Sequence, residues 1–295
     1  MGVFSFSISP LPQAGLFSSV CVFLDRMKII LSAILALGFW AGCLAQSPEI
    51  PKLDPKWKLV WSDEFEYTGL PDTNKWGYEV GYIRNKELQY YTESRLKNAR
   101  VEDGKLVIEA HRESYKGMDY TSASVISQKK GDWLYGRVEI RAKLPEGRGI
   151  WPALWMLPTD RAKYGWPKGG EIDIMELVGF EPKRVHSTVH TYDTYVNKKT
   201  EGQNKSIELE TPQSDFHLYA VEWYPDRLDF YVDAKKLLSY PKKEDTLEFW
   251  PFREKFYLIM NIAYGGAWGA SKGIDPECLP QRMEIDYVRV YEEKK

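Results

Sequence analysis

"GGEIDIMELVG", residues 169–179, sets three carboxylates into a stretch that otherwise reads as buried strand. Glu171 and Asp173 are two apart, so on a regular strand they share a face, because side chains alternate with period two. Glu176 stands five from Glu171, which on the same strand puts it on the opposite face. A β-bulge at Ile174-Met175 removes the conflict. It adds one residue to the strand and returns Glu176 to the face of Glu171 and Asp173. The reading therefore predicts a bulged strand with three acids on one side.

Period two dominates the rest of the chain. In "RVEIRAKL" (137–144), Val138, Ile140, Ala142 and Leu144 alternate with Arg137, Glu139, Arg141 and Lys143, the pattern of a strand with one buried face. "GKLVIEAHR" (104–112), "LDFYVDAKKL" (228–237) and "MEIDYVRVYE" (283–292) read the same way. "EWYPDRLDFYVD" reads as strand, Pro-Asp turn, strand, hence a hairpin. No segment sustains an apolar period of 3.6 over a helical length. The chain is all-β, with one antiparallel domain of about 240 residues from residue 57 onward. That many strands favours a sandwich of two packed sheets over a small closed barrel.

Composition narrows the partner. The net charge of −2 lacks the basic footprint of a nucleic-acid binder. Aromatic residues make up 14% of the chain, with 11 Trp and 19 Tyr. These serve either a Trp-rich core or a groove that stacks flat ligands such as sugar rings.

"MKIILSAILALGFWAGCLAQ" begins at Met27 with a basic Lys28, runs apolar from Ile29 and ends in small residues. It is a secretory signal, too short for a transmembrane span, so residues 1–45 form the export region and Met27 is read as the true start. Cleavage after Ala45 is one outcome. Ala41-Gly42-Cys43 offers another, since it resembles a bacterial lipobox in which Cys43 carries the anchor, with Trp40 in place of the usual Leu. Residues 46–56, "QSPEIPKLDPK", form a Pro-rich tether. Of the cysteines at 21, 43 and 278, only Cys278 lies in the folded part, so no intrachain disulfide is available there.

Three acids on one face cannot all ionise freely, so a proton is retained near neutral pH. A protonated Glu is a general acid and an ionised one a nucleophile. With the bulge, Glu171 and Glu176 are effectively four positions apart, their Cα atoms about 13 Å distant. Side chains leaning inward by about 4 Å each bring the carboxylates to about 5 Å. That is the spacing of a retaining glycosidase, whereas an inverting enzyme needs a wider gap for water.

The flanks add ordered motifs: "NKELQYYT" (85–92), "GRGIWPALWMLP" (147–158), "HSTVHT" (186–191) and "FYLIMNIAYGGAWGA" (256–270). With these, residues 57–292 resemble glycoside hydrolase family 16, and within it the bacterial endo-1,3-β-glucanases called laminarinases. The resemblance implies a β-jelly-roll sandwich with a concave cleft for a polysaccharide, and double displacement with net retention. By position it implies Glu171 as nucleophile, Glu176 as acid/base, and Asp173 as the helper that hydrogen-bonds the nucleophile. It implies Trp151 and Trp155 as an aromatic floor, Asn85 and Glu87 on a loop touching the glycone side, His190 beside the catalytic strand, and Trp268 flanking the cleft. Arg148 is a further substrate-binding candidate, at a position where the family varies.

The same resemblance implies no cofactor for catalysis and one structural Ca²⁺ on the convex side, matched here by Glu64, the backbone of Gly104, and Asp286. The expected partner is a β-glucan, acted on by an exported monomer. Two alternatives stay open. One is another β-linked substrate of the mixed-linkage, agar or carrageenan type, because the longer bulged strand is shared with agarases, porphyranases and carrageenases. The other is a non-catalytic β-glucan-binding protein, against which all three acids argue.

Overall fold

The computed structural model describes residues 51–199 and 202–294. The export region, Met27 and both processing points lie outside them. Among the described residues no helix is long and apolar enough to cross a membrane.

The strands run in chain order as β1 (Trp57–Asp63), β2 (Gly77–Glu79), β3 (Gln89–Tyr91), β4 (Ala99–Glu102), β5 (Lys105–Tyr115) and β6 (Met118–Ser122). There follow β7 (Ser124–Ile126), β8 (Asp132–Trp133), β9 (Gly136–Lys143), β10 (Ile150–Pro158), β11 (Glu171–Leu177) and β12 (Arg184–His190). The last are β13 (Asn204–Glu208), β14 (His217–Trp223), β15 (Arg227–Val232), β16 (Lys235–Pro241), β17 (Phe256–Tyr264) and β18 (Gln281–Glu293). The α-helices among the described residues are single turns of four residues.

One sheet of ten strands is ordered β16-β15-β14-β9-β18-β5-β6-β3, with β1 on β18 and β4 on β5. The other, of eight, is ordered β13-β12-β11-β10-β17-β7-β2, with β8 on β17. The β3–β6 pairing is parallel, while the central ladders of both sheets are antiparallel. Together the sheets form the jelly-roll sandwich.

One core lies between the sheets. It takes Val138, Ile140 and Ala142 from β9, and Leu154 and Met156 from β10. From β11 it takes Ile172, Ile174, Met175 and Leu177. Each buried aliphatic side chain contributes about 1.5–3 kcal/mol. A one-residue slip of β11 would exchange these four for three carboxylates, so the register is strongly fixed.

A second cluster, formed by Ile126, Ala153, Trp155, Leu157, Tyr257 and Ile259, packs on the other face of the eight-stranded sheet. The middle of this sheet is therefore buried on both faces, which is why β17 is buried at all nine of its positions.

Three expectations change in detail. "LDFYVDAKKL" is not one strand but β15 and β16 joined at Asp233-Ala234, where Asp233 adopts φ 52°. An Asp tolerates that left-handed conformation in a tight turn. The outer face of β9 is not solvated at its start. Arg137 and Glu139 are 6% and 4% exposed, and Arg137 pairs with both Glu139 and Glu222 at 3.0 Å. Finally, the described end of the tether packs on the domain. Leu53 lies against Trp57, Tyr224 and Tyr291, and Lys56 Nζ donates to Tyr224 Oη at 2.8 Å.

Candidate active site

The bulge is present where the alternation required it. Across the β11–β12 ladder Asp173 faces Thr188, but Glu176 faces His186, so three steps on β11 match two on β12. On the other side Trp155 faces Asp173 and its neighbour Leu154 faces Met175, which leaves Ile174 as the inserted residue. Ile174 and Met175 both turn into the core. Glu171, Asp173 and Glu176 all line the same cavity.

The register lays out the floor as rows across the sheet. One row runs His186, Glu176, Ala153, Asn261, Ser124 and Glu79. The next runs Thr188, Asp173, Trp155, Ile259 and Ile126. Ala153 and Ala263 are small, and their positions leave the trough that the larger neighbours wall in.

Glu171 opens β11 directly after Gly170, whose φ is +83° and where a Cβ would come within 2.6 Å of Pro251. Only glycine suits both the backbone and the space, so Gly170 sets the angle at which Glu171 enters the cleft. Each Glu is held by an indole. Trp166 Nε1 donates to Glu171 Oε2 at 3.0 Å, and Trp151 Nε1 donates to Glu176 Oε1 at 3.1 Å. His190 Nε2 lies 3.3 Å from Asp173 Oδ2 and 3.8 Å from Glu171 Oε1.

Electrostatics follow from this crowding. Desolvation, then the charge of Asp173, pushes both Glu171 and Glu176 up to about 8. Desolvation also raises Asp173 well above the usual carboxylate range. The cluster therefore holds protons at neutral pH. The indole of Trp151 opposes the shift on Glu176, because an N–H donor favours the charged form.

A polar chain runs from the floor to the loop at residues 85–87. Trp155 Nε1 donates to Asn261 Oδ1 at 2.7 Å, Asn261 Nδ2 to Tyr91 Oη at 2.9 Å, and Tyr91 Oη to Glu87 Oε2 at 3.1 Å. Gln89 and Asn85 also donate to Glu87. Burial raises the Glu87 carboxyl, and these donors offset part of the rise. The loop docks on Gly266, where φ is +75° and a Cβ would sit 3.1 Å from Glu87 Cγ. Ala267 N–H also donates to the Asn85 carbonyl at 2.9 Å.

Most of the residues expected at the cleft come together. Asn85, Glu87, Trp151 and Trp155 line the cavity with the three acids. Trp155 is only 6% exposed and carries the Arg84 guanidinium over its ring at 4.8 Å, so it supports the floor more than it offers a stacking face. Trp268 stands edge-on to Trp151 at 5.6 Å and to His186 at 5.1 Å. Arg148 is exposed and is not among the residues lining the cavity.

The expected calcium ligands are committed elsewhere. Glu64 makes a two-pronged pair with Arg289 at 3.0 and 2.9 Å, and Asp286 pairs with Arg141 at 2.7 Å. Gly104 turns between β4 and β5 with φ +70°. With both carboxylates neutralised by guanidinium groups, the side chains of this set do not fit a hard cation, which draws on free oxygen ligands.

Arg84, Tyr91, Trp166 and Asn261 were missed by sequence reasoning. Asn261 had a signal, as a lone amide inside the apolar run "LIMNIAY". Trp166 had none, because only the folded loop brings its indole onto Glu171.

Comparison with known proteins agrees with this geometry. The family description "Glycosyl hydrolases family 16" matches residues 86–289. The chain is 49% identical to the beta-glucanase of Rhodothermus marinus over 276 residues, covering 90% of this chain and 95% of that one. It superposes on the X-ray structure of the laminarinase from Rhodothermus marinus with a TM-score of 0.78 and 51% identity, over 81% of this chain and 98% of that one. It also superposes on SCLam, a non-specific endo-beta-1,3(4)-glucanase, with a TM-score of 0.77 and 40% identity, over 84% and 96% of the two chains. Matches that span the sandwich and both sides of the bulged strand leave one assignment: this chain belongs to the glycosyl hydrolases family 16.

Proposed function

We propose that the protein is a retaining endo-1,3-β-glucanase acting on glucans such as laminarin. The observation that carries the reading is the bulge, which puts Glu171, Asp173 and Glu176 on one face of the cleft. In the first step Glu171, ionised, attacks the anomeric carbon while Glu176 protonates the departing glycosidic oxygen. The C–O bond to the leaving sugar breaks as the bond to Glu171 forms. In the second step Glu176 takes a proton from water, which displaces Glu171 and returns the anomeric centre to its starting configuration. Asp173, buried and held protonated, is placed to donate to Glu171 and so to temper its charge between steps. Trp166 and Trp151 hold the two Glu side chains in their separate roles.

Asn85 and Glu87, fixed by the polar chain from Trp155, are assigned to the glycone side, and Trp151 with Trp268 to the sugar faces. The protein would work outside the cytoplasm, delivered there by the leader at residues 27–45. The similarity to a non-specific 1,3(4)-glucanase supports a second reading, that 1,4 linkages beside a 1,3 linkage are tolerated.

The test is the product profile on laminarin, mixed-linkage glucan and agarose. Internal cleavage of laminarin with no release from agarose is expected. Cleavage of agarose alone would overturn the substrate assignment, and cleavage of mixed-linkage glucan would establish the broader one.

A further inference from the structure

His190 faces Glu171 across the β11–β12 ladder, and its Nε2 approaches Asp173 Oδ2 to 3.3 Å and Glu171 Oε1 to 3.8 Å. One donor atom from each of the three lies within 4.8 Å of the other two. In a tetrahedral zinc site, bonds of about 2.0–2.2 Å put neighbouring ligand atoms about 3.4 Å apart. The His190–Asp173 pair already has that edge, and Glu171 needs only a small side-chain movement to complete the triangle.

A second observation points the same way. Asp173 is 2% exposed, and its Oδ2, the atom turned towards His190, has no hydrogen-bond partner. Trp166 occupies Glu171 Oε2 and leaves Oε1 on the His190 side. The donor set is two carboxylates and one imidazole. Calcium and magnesium prefer oxygen alone, whereas imidazole suits zinc and its neighbours.

We propose that Glu171, Asp173 and His190 bind one transition-metal ion of the Zn²⁺ class in the cleft when no glycan is bound. Glu171 and Asp173 both line the cavity, so the ion is reached from the cleft, and the protons that the carboxyls hold are released to solvent as it binds. The ion takes the carboxylate assigned as nucleophile, so metal and glycan exclude one another and the metal acts as a reversible inhibitor. The binding itself stands on this geometry and does not depend on which glycan is cleaved.

The experiment titrates metal-free protein with Zn²⁺ by calorimetry, without substrate. It then adds Co²⁺ and follows the ring protons of the four histidines by NMR. One ion per chain is expected, with the His190 ring most strongly affected and Zn²⁺ displaced by a laminari-oligosaccharide. His190→Asn should weaken binding by about tenfold or more. His111→Gln, at a histidine paired with Glu109 on the other sheet, should leave binding unchanged. The proposal is overturned by absence of binding at micromolar Zn²⁺, by wild-type affinity in His190→Asn, or by Co²⁺ broadening centred on another histidine. The NMR readout uses the wild-type chain and decides the matter even if His190→Asn fails to fold.

Discussion

Trp151 donates its indole N–H to Glu176 Oε1 across 3.1 Å, and so ties the floor of the cleft to the residue assigned as acid/base. The bond both orients the carboxyl and opposes the burial that raises its pKa. Trp151→Phe keeps an aromatic ring against Trp268 but removes the donor. A hydrogen bond to a charged group is worth about 1.5–3 kcal/mol, so kcat/KM should fall by about 10- to 100-fold. Without the donor the Glu176 pKa rises further, and the alkaline limb of the kcat/KM profile should move to higher pH. A limb that stays in place would separate Glu176 from that limb or Trp151 from Glu176.

The same crowding sets a cost in stability. Glu176 has a folded pKa of about 8, above the usual carboxylate value of about 4.3 expected when unfolded. A carboxyl raised in this way stabilises the fold fully below its unfolded pKa and loses that contribution as pH rises towards the folded value. Glu176→Gln has no such dependence and can still accept from Trp151. Its melting temperature should exceed that of the wild type at pH 8 by about 2–4 °C, with the gap closing at pH 4. Scanning calorimetry at the two pH values checks both the size and the sign.

Much of this site is legible in the sequence because burial forces it. Ile172, Ile174, Met175 and Leu177 cannot all reach the core without an extra residue, so the bulge follows from the spacing of acids and aliphatics alone. Other features depend on contacts that alternation does not encode. Arg137 and Glu139 follow the period-two pattern of solvated residues, yet Trp57 and Tyr224 join them in a buried polar network through Glu222. The burial of Trp155 depends on Arg84, which arrives from a loop about seventy residues away and lies over its ring. The turn at Asp233 was hidden because Asp and Ala also occur in strands, and only the positive φ distinguishes them here.

The polar chain beneath the cleft should behave as a unit. Asn261→Ala leaves the buried Trp155 N–H without an acceptor and removes the N–H that Tyr91 Oη accepts, at a cost of about 1–3 kcal/mol. Tyr91→Phe removes the next link, to Glu87. Because the two residues bond to each other, their combined loss should differ from the sum by about 0.5–3 kcal/mol in denaturant unfolding. Strict additivity would show that the chain does not couple the floor to the loop bearing Asn85 and Glu87.

Glu171→Gln should reduce turnover by about 10⁴-fold or more while oligosaccharide binding persists, since it removes the covalent catalyst and little of the contact surface. Calorimetric titration with a laminari-oligosaccharide reads the binding and reducing-sugar release reads the turnover. Near-normal turnover in the purified variant would end the assignment of Glu171.

The roles of Glu171 and Glu176 can be told apart by their products. Glu176→Ala removes the acid but leaves Glu171 able to attack. An aryl β-glucoside with an activated leaving group needs little protonation, so this variant should still form the glycosyl-enzyme. Without its base the intermediate then hydrolyses slowly and accumulates. Azide is already anionic and needs no deprotonation, so adding it should speed release and give a glycosyl azide of β configuration, the result of two inversions. Glu171→Ala cannot form the covalent intermediate, so azide can displace the leaving group only directly, in one inversion, to give the α-azide. NMR of the two azide products settles the order. A β-azide from Glu171→Ala and an α-azide from Glu176→Ala would require the nucleophile and the acid/base to be exchanged.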